Sequence, residues 1–473
     1  MKLCLLFGLL FFPGVGWSGE AAGWPQFRGP NGQGLAAGGR LPVDLGVDGV
    51  LWKVAVSPGH ASPVVVGGRI FLAVWEGGQA GMVCLDAATG AEQWKASVPG
   101  AALGQVHPTG SEVAATPVCD GQRVMGYFPG FGLVAWDLAG KELWRHPLEA
   151  PFVVNGSGTS PVLAEGKLLL CADQQGGKSY LISIEPSDGR TRWRTERPGA
   201  VSNYTCPVVW RRGDRADLVV SGNLQATGYD LASGAARWTV GGLEAVSVCP
   251  SPVLGEGALY LMSRSLGGGA ALPAQMEALL LAADIDGDGR LSRAEAVPLQ
   301  KDGGFDFFDR DRDGWVGKEE VAACVAYLRR ADYGLLAVRD PAGAGGDLSD
   351  THLLWRHQRG IAKVTSPVLV EGKLVVVQEG GMVTATEAAS GKVLFEKERL
   401  APEGAGDYFA SPISDGRRIC FCSLRGVVTI AEVGAGLKVC QQVKLDSPIA
   451  ATPALVGKRL YVRTRDYLWA LGE

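Results

Sequence analysis

The sequence predicts an all-β protein: an eight-bladed β-propeller closed by an N-terminal strand, with a small α-helical pair inserted in blade five. Three observations carry this prediction. A small residue followed by proline opens a short apolar run eight times along the chain. Most of these runs lead, after a further strand and a glycine turn, to a strand that ends in an aromatic residue. One interval between successive copies is far longer than the rest, and its excess holds two acidic loops.

The eight openings are ASPVVVGGRIFLA from Ala61, ATPVCDGQRVMGY from Ala115, TSPVLAEGKLLLC from Thr159, TCPVVWRRG from Thr205, PSPVLGEGALYLM from Pro250, TSPVLVEGKLVVV from Thr365, ASPISDGRRICFC from Ala410 and ATPALVGKRLYVR from Ala451. Blade endings follow as LDAATGAEQW at Trp94, WDLAGKELW at Trp144, IEPSDGRTRW at Trp193 and YDLASGAARW at Trp238. The sixth copy ends at Phe395 and the seventh, AEVGAGLKVC, at Cys440. Short runs rich in β-branched and aromatic residues, separated by glycine turns, read as antiparallel strands rather than helices. Four such strands in a repeat of about 40 to 45 residues describe a propeller blade. For 473 residues a generic length prior suggests about three domains, but internal repeats override it.

The ends of the chain close the ring. The eighth copy stops at YLWALGE, short of its outer strand, while VLWKVAV around Trp52 precedes the first copy. An N-terminal strand that completes the last blade removes the exposed edges of an open sheet. The expected organisation is a signal peptide over 1–18, a lead-in over 19–49, propeller over 50–265, the insertion over 266–332 and propeller again over 333–473.

Marker prolines recur at Pro63, Pro117, Pro161, Pro207 and Pro252, then jump to Pro367 before Pro412 and Pro453. The long interval lies between LYLMSRSL and DYGLLAVRD, within the fifth copy, which still ends with LLWRHQ at Trp355. Inside it, DIDGDGRLSRAE and DRDRDGWVGKEE both follow the twelve-residue EF-hand calcium loop. Calcium takes six to eight oxygens, from loop positions 1, 3, 5, 7, 9 and 12, with glycine at 6 for the turn. The first loop offers the carboxylates of Asp284, Asp286 and Asp288, the carbonyl of Arg290, Ser292 directly or through water, and Glu295, with Gly289 at the turn. The second offers Asp309, Asp311, Asp313, the carbonyl of Trp315 and Glu320, with Gly314 at the turn and Gly317 leaving position 9 to water. Leu291 and Val316 hold position 8, where paired loops join by a short β-bridge. Met276, Leu279, Leu280 and Ala283 before the loops, and Val321, Cys324, Val325 and Leu328 after them, recur at helical spacing. Two Ca2+ sites are expected. Carboxylates crowded on one loop repel each other without a cation, so empty loops should be loose.

Several function classes are excluded or disfavoured. A net charge of −4 and the lack of basic clusters argue against nucleic acid. The five histidines, His60, His107, His146, His352 and His357, form no HExxH pattern, and the chain has neither a GxSxG elbow nor a phosphate loop. His146 and His357 fall at equivalent places after blade-ending tryptophans, which reads as repeat inheritance. Lys2, the apolar run from Leu3 to Phe12 and the small residues Gly16 and Ser18 read as a secretory signal, so a periplasmic or secreted protein is expected. No segment reaches the length of apolar residues that spans a bilayer. Removing the signal leaves nine cysteines, an odd number, so at least one stays free or pairs with another chain. The loops before each inner strand form the expected mouth of the channel: His60, Glu112, Asn155, Asn203 with Tyr204, Lys363, and Asp407 with Tyr408.

The blade endings LDAATGAEQW and YDLASGAARW resemble the tryptophan-docking motif of propellers related to pyrroloquinoline-quinone (PQQ) dehydrogenases. The lead-in WPQFRGPNGQG from Trp24 is similar to that of bacterial PQQ-like repeat proteins. The resemblance implies that Trp94, Trp144, Trp193, Trp238 and Trp355 pack between adjacent blades. It also implies, for the family's enzymes, PQQ bound over the channel with calcium and a ring made by two adjacent cysteines. This chain has no adjacent pair, since Phe421 separates Cys420 from Cys422, and no motif matches the catalytic aspartate. Two functions follow as expectations. One is a non-enzymatic calcium-binding scaffold, akin to the outer-membrane assembly propeller, with protein partners on the rim or the channel mouth. The other is a PQQ-dependent dehydrogenase with a divergent site.

Overall fold

The computed structural model describes residues 23–473 apart from positions 37, 99, 101–105, 107–109, 154–155, 176, 202, 246, 265–277, 279–281, 297–304, 306–307, 310–312 and 401–405. The signal segment 1–18, Met276, Leu279, Leu280, His107, Asn155 and Asp311 therefore lie outside the described residues.

Eight sheets form the blades, seven of four strands and one of five, and a ninth, two-stranded sheet lies in the insertion. Blade one runs Val64–Val66, Arg69–Glu76, Gln79–Asp86 and Glu92–Val98, each strand antiparallel to the last. Blade eight runs Ala454–Val456, Arg459–Arg463 and Tyr467–Gly472, and Val50–Ala55 completes it from the other end of the chain. Blade five pairs Ala258–Ser263 with Gly334–Arg339 across the insertion and ends in Leu353–His357. Inner strands are buried on both faces, whereas outer strands such as Thr191–Glu196 alternate between half-buried and exposed residues. The core accordingly lies between blades. Met125, Tyr127 and Leu133 of blade two pack with Leu168, Leu170 and Ile182 of blade three.

Five outer tryptophans dock on the next blade. Indole N–H groups donate to carbonyls of the neighbouring turn: Trp52 to Ala87 at 3.3 Å, Trp94 to Leu138 at 3.0 Å, Trp144 to Pro186 at 2.8 Å, Trp193 to Leu231 at 3.3 Å and Trp355 to Ala388 at 3.1 Å. The ring lies on that turn's glycine. At Gly189, φ is +76° and a Cβ would stand 2.7 Å from the Trp144 ring, so only glycine serves both the turn and the contact. His146 and His357 reinforce the same joint through the carbonyls of Gly189 and Gly391, the role in which Thr195 uses Gly234.

Trp238 departs from this pattern. Blade five joins its last two strands by the excursion 340–352 instead of a tight turn, and Gly346–Asp347 lies parallel to Trp238–Thr239 as a fifth strand of blade four. With no glycine turn to receive it, Trp238 folds over its own sheet. It donates to Asp217 Oδ2 at 2.7 Å, meets Trp210 edge-on and occupies space left by Gly228, where a Cβ would come within 2.0 Å of the ring.

Two features surround the axis. At six of the eight marker prolines the preceding residue passes a hydrogen bond to the next blade. The backbone N–H of Ser62 donates to Thr116 Oγ1, Thr116 to Ser160 Oγ, Cys206 to Ser251 Oγ, Ser251 to Ser366 Oγ, Ser366 to Ser411 Oγ and Ser411 to Thr452 Oγ1, all at 2.9–3.0 Å. Along the inner strands the lead-in touches every blade. Trp24 bridges Val65, the Pro25 carbonyl accepts from Cys119, Gln26 Oε1 from Leu163, Gln33 Oε1 from Leu254 and the Gly34 carbonyl from Ser414. Asn31 donates to the Val209 carbonyl, Arg28 to that of Pro367 and the Arg40 N–H to that of Gly457. Backbone groups of inner-strand ends, which need partners when buried, are thereby satisfied, and the lead-in lies across one mouth of the channel.

Candidate functional site

The insertion leaves blade five after Ser263 and returns at Gly334. Its two acidic loops are joined where Arg290–Ser292 pairs antiparallel with Trp315–Gly317, Leu291 facing Val316. Both of these residues are buried with Phe305, Phe308 and Cys324 in a small core of their own. In the first loop the carboxylate oxygens of Asp284, Asp286 and Glu295 lie within 4.8 Å of one another. Backbone N–H groups orient them: Gly287 donates to Asp284 Oδ1 at 2.9 Å, Asp288 to Asp286 Oδ1 at 3.1 Å, and Arg290 to Asp288 Oδ1 at 2.7 Å. Ser292 gives both its N–H and its hydroxyl to Glu295 Oε2, and these bonds hold the Glu295 carboxyl below the usual carboxylate range. Gly289 has φ +81° and Gly314 +90°, the left-handed turn each loop needs at its sixth position.

In the second loop Asp309 is buried and its Oδ2 accepts from Gly314, while Asp313 Oδ1 accepts from Trp315 at 2.8 Å. Glu320 lies in the first turn of the helix Lys318–Leu328 (α1), where its carboxylate accepts from Gly317 at 3.0 Å. Asp311 is outside the described residues. α1 leads from the loops to the propeller, since Tyr327 donates its hydroxyl to the Ala245 carbonyl at 2.9 Å and Leu328 packs with Leu224 and Ala245 of blade four.

Several of the expected mouth residues are engaged by the fold. Asn203 is buried, donating to Asp173 Oδ2 and the Ser221 carbonyl and accepting from Thr205. It belongs to a network that pattern reading did not find: Arg197, 8% exposed, grips Asp173 with Nε at 2.7 Å and Nη2 at 2.9 Å and also reaches the Tyr229 hydroxyl. Burial, and secondarily the Arg463 guanidinium, lowers the His60 pKa, with Glu112 opposing. Arg463 is itself fully buried and donates to the carbonyls of Ser57, Ala61 and Ala73, which ties blade eight to blade one. Asp407 accepts from the Gly380 N–H, and Tyr408 is buried, so its phenol pKa rises. Cys420 and Cys422 share one face of a strand with their sulfurs 4.0 Å apart, and all nine described cysteines are free thiols. Among the described residues no helix is long and apolar enough to cross a membrane.

The family model described as outer membrane protein assembly factor BamB matches residues 41–137, 129–275 and 266–473. The chain belongs to this family of PQQ-like propellers. Among solved structures, BamB from Moraxella catarrhalis superposes with a TM-score of 0.56 at 12% identity, over 90% of this chain and 99% of that one. A europium-containing methanol dehydrogenase gives 0.58 at 11% identity, over 96% and 98%. Quinohemoprotein alcohol dehydrogenase from Comamonas testosteroni gives 0.58 at 10%, over 95% and 80%. At such identities the likeness is one of fold. A comparison with curated protein sequences finds no match.

Proposed function

We propose that this PQQ-like propeller is a periplasmic or secreted calcium-binding protein that acts as a non-enzymatic binding scaffold. The observation that carries the calcium reading is the convergence of Asp284, Asp286 and Glu295 within 4.8 Å on a loop with glycine at its sixth position. Asp288, the Arg290 carbonyl and Ser292 complete an all-oxygen donor set suited to a hard cation. Asp309, Asp311, Asp313, the Trp315 carbonyl and Glu320 would supply the second site. Glu320 opens α1, and α1 rests on blade four, so calcium at the second loop would order the insertion on the propeller. Extracellular modules of this type bind calcium at roughly 10⁻⁴ to 10⁻³ M, which favours constitutive occupancy over switching.

The scaffold reading draws on the BamB likeness and on the chemistry of the mouth. A planar quinone would find no vicinal cysteine ring, and the buried Asn203 amide is already committed to Asp173 and Ser221. The residues present do not fit PQQ.

Calorimetric titration with calcium should give two sites for the native chain, one for Glu295→Gln or Glu320→Gln, and none for the double variant. Proteolysis near residues 266–332 should slow in calcium and accelerate with chelator; a cleavage rate indifferent to calcium sinks this role. Stoichiometric quinone uptake with dye-linked alcohol oxidation would replace the scaffold reading by the dehydrogenase one.

A further inference from the structure

Where α1 crosses blade four it does not seal against it. A cavity of about 620 Å³ remains, roofed by Ala323, Ala326, Tyr327 and Arg330 and floored by strand ends of blades three and four. That volume lies within the range of ligand pockets, 300 to 1,000 Å³. Small residues on both walls leave room for a chain to lie between them.

Two polar groups here are unanswered. Asn223, 8% exposed, lines the floor, and neither its amide nitrogen nor its amide oxygen has a hydrogen-bond partner. Arg330 is exposed and makes no ion pair among the described residues. The other charges at the cavity are matched, Arg197 by Asp173 and Glu196 by Arg194. A carboxamide offers a donor and an acceptor side by side, the complement of a peptide group. A guanidinium offers a two-pronged site for a carboxylate. Both amide atoms of Asn223 are shielded from solvent and its neighbour Leu224 packs with Leu328 of α1, so a ligand that bonds to the amide must first displace what covers it.

We propose that this cavity binds the carboxy-terminal end of an extended polypeptide, its carboxylate on Arg330 and its last peptide group on Asn223. The proposal rests on the scaffold reading and names the site through which that scaffold would hold a partner. It adds a role for the insertion, whose helix supplies the charged half of the site.

The probe is tri-alanine, titrated calorimetrically in calcium-containing buffer against the full chain, with tri-alanine carboxamide and maltotriose as comparisons. Saturable one-to-one binding of the free acid is expected, weakened about ten-fold or more by carboxamidation and by Arg330→Gln, the loss of one ion pair worth about 1.4 kcal/mol. Arg330 is exposed, so this variant should fold as the native chain does. Asn223→Leu should weaken acid and amide alike. Equal binding of acid and amide, an unaltered Arg330→Gln variant, maltotriose binding in preference to peptide, or no saturation at millimolar peptide would each overturn the proposal. Quinone-dependent turnover with tri-alanine still bound through Arg330 would overturn the scaffold reading and leave the site standing.

Discussion

Replacing Gly189 by alanine tests the joint between blades at a single atom. The new Cβ would meet the Trp144 ring at 2.7 Å and carry a residue at φ +76°. The left-handed backbone costs an L-residue about 1–2 kcal/mol, and forcing a methyl into a packed contact about 1–3 kcal/mol. Together they predict a loss of about 2–5 kcal/mol. Gly166 supplies the control in the same blade, with φ +66° and nothing within 4 Å of its Cβ position, so Gly166→Ala should cost only the backbone part. Trp144→Ala, which removes a buried ring and its bond to Pro186, should cost about 3–5 kcal/mol. In that background Gly189→Ala should fall to the cost of Gly166→Ala, a coupling of about 1–3 kcal/mol. Equilibrium denaturant unfolding of the four variants, followed by tryptophan fluorescence, gives the cycle. If Gly189→Ala costs as much without the indole as with it, the docking argument fails.

Other outcomes follow from the same packing. The His60 pKa is depressed in the folded state, so below about pH 6.5 the unfolded chain takes up the proton first and stability falls with acidification; His60→Gln should flatten the difference between denaturant midpoints at pH 7 and pH 5. Ser251→Ala orphans the buried Cys206 N–H and should cost about 1–3 kcal/mol, whereas Cys206→Ser restores the hydroxyl used by the other blades and should stay within about 1 kcal/mol of the native chain, both read by denaturant unfolding. Arg197→Met strands the buried Asp173 carboxylate and should cost about 3–5 kcal/mol, with partial recovery in Arg197→Met/Asp173→Leu; a double variant no better than the single one would refute the pairing.

Much of the fold was legible because each blade repeats one local pattern. The proline before an inner strand, the glycine of the docking turn and the aromatic that lands on it recur at near-constant spacing, so eight blades and the closing strand Val50–Ala55 could be counted. The positions of the acidic loops were legible for a similar reason, since a twelve-residue ligand pattern is local. Trp238 shows where such reading stops. Its own repeat matches the others, but its geometry is set by the long excursion of the following blade, which the pattern of blade four does not contain.

The sequence by itself therefore determined the blade count, the order of strands within a blade and the place of the insertion, because these follow from turns and spacing within some tens of residues. Only the tertiary structure decided what meets at the axis and between blades. Arg28 reaches Pro367, Gln33 reaches Leu254, Arg197 pairs with Asp173 and α1 settles over Asn223, in each case through residues from separate strands or blades. The physical reason is ring closure. Residues far apart in the chain become neighbours only once all eight sheets share an axis, and the buried polar groups gathered there must then find partners in one another or in a ligand.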